Sequence, residues 1–170
     1  MAFILAATGW LPLNRIADRY YKDWADEDER GSKRREFVRV VNSYGGPLEQ
    51  LFLRSMQEEK ALMLTLKGGK VYIGDLGATF IPGQHTAIHL LPSRSGFRDS
   101  QQRLTLTTDY DEAALKIEES ETEENATDII ESFVIAIPLD EVVAASLYIP
   151  EIHAKYFPHK TIADEPLDMD

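Results

Sequence analysis

The chain has 170 residues, enough for one domain with a buried core, or for a domain carrying a small helical attachment. It contains no cysteine, which excludes disulfide frameworks, thiolate metal sites and cysteine nucleophiles. Its formal net charge of -11 opposes contact with phosphate backbones or anionic lipid unless basic residues are locally concentrated.

Met1 to Leu13 is nearly all apolar. It is shorter than the roughly 20 residues a membrane-spanning helix needs, and it lacks the basic start of a secretory signal. The segment reads as a buried N-terminus, with an anchor or docking segment as the alternative. Leu13, Ile16, Tyr20 and Trp24 then share one side of a helix that Pro12 opens and Gly31-Ser32 ends. A second helix is expected from Lys33 to Tyr44, with Phe37, Val40, Val41 and Tyr44 on its apolar face, ended by Gly45-Gly46. Pro47 starts a third, whose inward stripe of Leu48, Leu51, Phe52 and Met56 leads up to Lys60.

After Ala61 the period changes to two. Leu62, Leu64 and Leu66 alternate with Met63 and Thr65, and Gly68-Gly69 between Lys67 and Lys70 reads as a two-residue hairpin turn into a return strand at Val71 to Ile73. Gly74 and Gly77 suit a strand that bends sharply, as a small closed barrel requires. Ile81-Pro82-Gly83 is a predicted turn. Thr86 to Leu91 is a predicted third strand ended by Pro92, Ser93 to Gln101 a polar loop, and Arg103 to Thr107 a short fourth strand. Asp109 to Asp128 is dominated by acidic residues and reads as an exposed excursion with one helical turn near Ala113 to Ile117. Phe133 to Ile137 is a predicted strand, Pro138 to Glu141 a tight turn, and Val142 to Tyr148 a closing strand. Pro150 opens a short helix with Ile152, Tyr156 and Phe157, and from Pro158 the composition is that of a disordered end. The implied division is a helical segment over 1–46, a small β-barrel domain over 47–157 with an acidic insertion at 109–128, and a flexible acidic tail over 158–170.

The stretch ALMLTLKGGKVYIGDLG, from Ala61 to Gly77, resembles the opening of Sm-like domains: a helix, then a strand, a glycine turn and a glycine-bent strand. FVIAIPLDEVVAASLYIPEIHAKYF, from Phe133 to Phe157, resembles their final strand, turn and strand. The chain is also similar to uncharacterised bacterial proteins in which segments like LLPSRSGFRD and LTTDY follow a hydrophobic N-terminus. The resemblance implies an α+β fold, N-terminal helices followed by a small, strongly bent antiparallel barrel, and a tendency to assemble through strand edges. Sm-like RNA binders carry an Asp–Asn pairing after the bent strand and an Arg-Gly step near the fourth. Here those places read ATFIPGQHT and ESFVIAIP, so no RNA-binding residue carries over.

Other constellations give no chemistry. His85 and His89 would be roughly 13 Å apart on a strand, too far to hold one metal. Ser95-Gly96 lacks the first glycine of a nucleophile elbow, and Lys67-Gly68-Gly69-Lys70 is too short for a phosphate loop. Glu118 to Glu124 has no calcium-loop pattern and reads as solvated. Arg94, Arg98 and Arg103, with Lys67 and Lys70, are candidates for an anion site, against the plainer reading that Arg98 pairs with Asp99 or Asp109. Of the aromatics, Tyr72 suits the core, whereas Phe80 and Phe97 suit a partner-binding surface.

No catalytic residue, cofactor or metal ligand is assigned. The expectation is a non-enzymatic protein-binding or assembly module of a bacterial cell, cytoplasmic, with a protein partner or a second copy at Arg94, Phe97, Arg98, Arg103 and Phe80. The alternatives are an RNA-binding Sm-like protein, which the acidity opposes, and a membrane-proximal protein held by residues 1–13.

Overall fold

A computed structural model describes residues 38–77 and 86–156. The apolar N-terminus, the helix from Leu13, Phe80, the turn at Ile81-Pro82-Gly83, His85, Phe157 and the tail from Pro158 lie outside the described residues.

Residues 38–44 are helical (α1), and Gly45 ends the helix by donating its N–H to the Val41 carbonyl at 2.8 Å. Phe37 of the expected apolar face lies outside the described residues; of the rest, Val41 is fully buried while Val40 and Tyr44 are exposed. Helix α2 (Pro47–Glu58) starts on its proline, with the Gly46 N–H held by Glu49 Oε2 at 2.7 Å, and stops where Glu59 turns left-handed. Its stripe is the predicted one: Phe52 and Met56 are buried against the sheet, and Leu48 and Leu51 pack half-buried beside them.

Strands β1 (Leu62–Leu66) and β2 (Lys70–Leu76) form the expected antiparallel hairpin. Its loop has three residues, 67–69, where the sequence suggested two. Gly69 N–H bonds back to the Leu66 carbonyl at 2.8 Å, and Gly69 alone has φ +80°. That is a turn closed by one left-handed residue, so only the second glycine is conformationally required.

Strand β3 (Ala87–Arg98) corrects the predicted strand end at Pro92 and the predicted loop from Ser93. The register against β2 shifts between Ile73–Arg94 and Gly74–Pro92, leaving Ser93 as the extra residue of a bulge. A bulge is where a sheet tolerates a proline, and the Ser93 hydroxyl donates to the Ile73 carbonyl at 3.2 Å. Ser95-Gly96 is therefore strand and not turn. A Cβ on Gly96 would stand 2.0 Å from the Thr105 carbonyl oxygen, and one on Gly74 would stand 2.1 Å from that of Leu91. Both glycines mark close backbone approaches at register shifts.

Strand β4 (Leu104–Asp109) pairs with the second half of β3, and β5 (Ile135–Pro138) with its first half. Since β2 occupies the other edge of β3 from Leu90 to Phe97, and Leu90 pairs with both β2 and β5, β4 and β5 are two pieces of one ribbon. The acidic segment between them corrects the predicted excursion with a single turn. It forms two helices, α3 (Tyr110–Ser120) and α4 (Glu123–Glu131). Asp109 caps α3 by accepting the Glu112 N–H at 2.9 Å, and Thr122 caps α4. Ala114 and Ile130 then bury against Leu91 of β3, with Ile117, Phe133 and Val134 around them.

A 3₁₀ turn (Leu139–Glu141) leads to β6 (Val142–Leu147), which pairs with β1, and α5 (Pro150–Tyr156) follows. The result is an α+β fold on a six-stranded antiparallel sheet ordered β4-β3-β2-β1-β6, with β5 also on β3. The sheet is not closed: no ladder joins β4 or β5 to β6. It is not flat either. In a flat sheet β5 and β6, four strand spacings apart, would be separated by roughly 19 Å. The four Cα steps from Pro138 to Val142 reach at most about 15 Å. The backbone bonds of the turn run to both sides, Leu139 N–H to the Thr86 carbonyl at 2.8 Å and Lys67 N–H to the Glu141 carbonyl at 2.9 Å. The sheet is thus curled around the main core of Leu62, Leu64, Leu76, Ile88, Leu90 and Ile137. A second cluster of Ala61, Val71, Ile73, Leu104 and Tyr148 packs on the other face.

Candidate functional site

Four of the five residues singled out in the sequence lie along β3 and the turn that follows it; the fifth, Phe80, is outside the described residues. They are not brought together. Beyond the bulge at Ser93, Arg94 and Arg98 share the face of Val71 and Ile73, while Phe97 lies on the opposite face, across from Lys70. Two residues four apart on a strand are separated by roughly 13 Å, so the two guanidinium groups do not converge by strand geometry.

Each arginine has its own local task. Arg94 Nε lies 3.5 Å from Asp109 Oδ2, directly across the β3–β4 ladder. Arg103 Nε lies 2.7 Å from Asp99 Oδ2, whose other oxygen accepts the N–H groups of Gln101 and Arg103 at 2.8 and 2.9 Å. Asp99 thereby ties the turn in which Gln102 takes φ 63°, and the backbone and side chain of Arg103 hold its carboxyl below the usual range. Arg98 is the exception to carboxylate pairing. Its Nε donates to Thr65 Oγ1 at 3.3 Å and its NH1 to the Gln102 carbonyl at 3.0 Å, so among the described residues it meets neutral acceptors. The expected pairing of Arg98 with Asp99 or Asp109 is corrected: Asp99 takes Arg103 across the turn, and Asp109 takes Arg94, its partner across the ladder, where Arg98 faces Leu104. The charge of Arg98 is felt at His153 of α5, which burial and then Arg98 hold below the ordinary histidine range.

Phe97 is exposed at 43 % of its surface, next to a half-buried cation and aromatic: Lys70 Nζ sits 5.2 Å from the Tyr72 ring and 3.2 Å from Ser95 Oγ. Phe97 also faces Thr105 of β4. Outside β3 itself, no described strand pairs with β4. At the far side of the sheet, β6 pairs only with β1 among the described residues, and its bulge residue Val143 is 59 % exposed. Among the described residues, both ends of the sheet thus combine an unpaired edge with an exposed apolar side chain.

A set of residues not singled out in the sequence lies where α3 meets the sheet. Asp75 of β2 is raised to about 6 by burial. Asp111, in the first turn of α3, is raised to about 7, chiefly by burial and then by Asp109 and Asp75, with Arg94 acting in the opposite direction. Its Oδ1 has no hydrogen-bond partner. Tyr72 is raised by burial and by Tyr110, whose ring meets Phe133 edge-on at 5.8 Å. The legible signal was Asp109 with Glu112 three residues on, a helix-start spacing that would have placed Asp111 in a first turn.

Among the described residues no group of three or more His, Asp or Glu is placed to hold a metal ion, and no helix is long and apolar enough to cross a membrane. No family model matches the chain, and neither a curated protein nor a solved structure matches it.

Proposed function

We propose that the chain is a non-enzymatic assembly module, a curled but open Sm-like sheet that takes a second copy of itself or another protein along the outer edges of β4 and β6. The observation that carries this reading is the pair of edges left without a strand partner among the described residues, each flanked by an exposed apolar residue, Phe97 beside β4 and Val143 on β6. An unpaired edge offers a row of backbone N–H and C=O groups, and pairing another strand there gives main-chain bonds while neighbouring side chains set specificity. The Sm-like part of the reading is supported by the strand order, by the three bulges, and by the short 3₁₀ connection from one side of the sheet to the other.

The test removes one outward-pointing donor and leaves the inner ladder intact. Tyr148 N–H bonds to the Ala61 carbonyl at 2.7 Å, and Leu62 pairs with Leu147, so the N–H groups of Tyr148, Ser146 and Ala144 face β1 while that of Ala145 faces outward. Light scattering after size exclusion is expected to show an assembly for the parent chain and a smaller species for Ala145→Pro, with circular dichroism unchanged. A parent chain that stays monomeric at every concentration and captures no protein partner overturns the reading.

A further inference from the structure

The α3–α4 hairpin interrupts the β4/β5 ribbon and returns to the same edge of β3, where its buried side chains are Ala114 and Ile130 over Leu91 and Ala126 within α4. At this contact the charges do not balance. From β2 comes Asp75, across from Leu91; from β3, Arg94; from β4, Asp109; and from α3 itself, Asp111, while Tyr110 acts on Tyr72. On α4, Glu123, Glu124 and Asp128 are exposed and Glu131 is half-buried at the helix end, and none of the four acts on Asp111. Among the described residues Arg94 is the single cation acting on Asp111, and its Nε is directed to Asp109. Asp111 Oδ1 is shut off from solvent without a hydrogen-bond partner, an arrangement that suits a neutral carboxyl and penalises a carboxylate.

We propose that the α3–α4 hairpin is a proton-operated flap, seated on the sheet over Leu91 while Asp75 and Asp111 are neutral and loosened when they ionise. With both ionised, three carboxylates would face one guanidinium across a small apolar contact, and lifting the hairpin hydrates Asp111 and separates it from Asp75. Loosening exposes Leu91 and the underside of α3 and α4, so the flap couples local pH to the availability of that apolar surface. The direction follows from linkage. The seated state holds the Asp111 proton up to about pH 7, whereas a lifted, solvated aspartate releases it near its ordinary 3.8. Opening is therefore favoured as pH rises between those values and levels off above them.

Hydrogen–deuterium exchange of the full chain tests this, corrected for intrinsic rates and followed by mass spectrometry from about pH 5 to about pH 8. Peptides from residues 110–134 are expected to lose protection by up to tenfold per pH unit for each carboxyl that ionises, roughly to neutrality. Peptides from β1 and β2 are expected to stay better protected than these at every pH. Asp111→Asn is expected to flatten most of that slope, and Asp75→Asn the remainder. A flat profile in the parent chain overturns the proposal. So does an unchanged slope in Asp111→Asn, or equal protection of residues 110–134 and of β1 and β2 at every pH, which would mean that both exchange through global unfolding. Should Asp111→Asn fail to fold, the parent profile and Asp75→Asn still decide the matter.

Discussion

Two glycines in this sheet carry opposite constraints. Gly68 has open space where a Cβ would go, whereas Gly96 has the Thr105 carbonyl oxygen 2.0 Å away and Leu106 Cα 2.8 Å away. A methyl group at Gly96 must push β3 from β4 at the register shift, a mechanism of the kind that costs about 2–4 kcal/mol, whereas a surface change of the Gly68 type stays within about 0.5 kcal/mol. Urea denaturation of Gly96→Ala and Gly68→Ala is expected to separate them accordingly, and equal midpoints would refute the close approach. Gly74 was legible as a special strand position because it interrupts an otherwise alternating run. Gly96 was not, because SRSG has the composition of a turn, and only the neighbouring backbone of β4 reveals why a side chain is excluded.

At the scale of elements, legibility followed the range of the interaction. Helix α2 and the β1–β2 hairpin were readable because their signals are local: a proline at the first turn, apolar residues at helical spacing, then strict alternation around a glycine pair. Helices α3 and α4 were not, since so many glutamates mask a stripe as thin as Ala114, Ala126 and Ile130, and Leu91, against which Ala114 and Ile130 bury, belongs to a strand that precedes both helices. Likewise β3 runs through Pro92 because a bulge, a property of two strands, absorbs it. The two elements are expected to respond differently to truncation. Phe52→Ala removes a fully buried ring from the main core and is expected to cost about 3–5 kcal/mol, seen as a lower urea midpoint for the whole chain. Ile130→Ala, at the separate cluster under the hairpin, is expected to cost about 2–4 kcal/mol and to raise exchange first in residues 110–134. If both variants loosened every peptide together, the clusters would not be independent.

For the molecule as a whole, the titration of Asp75 and Asp111 sets the sign of the pH dependence. Both carboxyls hold their proton more tightly in the fold, up to about 6 and about 7, than at the ordinary 3.8. Between those values the folded chain carries more protons than the unfolded one, so stability falls as pH rises and levels off above neutrality. For Asp111 alone the loss is on the order of 2–4 kcal/mol. Glu58, Asp99 and Glu112 shift in the opposite sense, below the ordinary range, but all three lie at the surface, Asp99 partly covered, and surface pairs contribute little. Urea midpoints are expected to be higher at pH 5 than at pH 8, with Asp111→Asn narrowing the gap; a midpoint that rises with pH would contradict the assignment. The divided outer ribbon has one more implication. Asp109 pairs with Arg94 and Ile135 with Leu90, so the chain leaves and rejoins the same track within a few residues of β3. That spot behaves as a splice junction in the architecture, where a stretch as long as a helical pair can be accommodated, lengthened or exchanged while the strands on either side keep their partners.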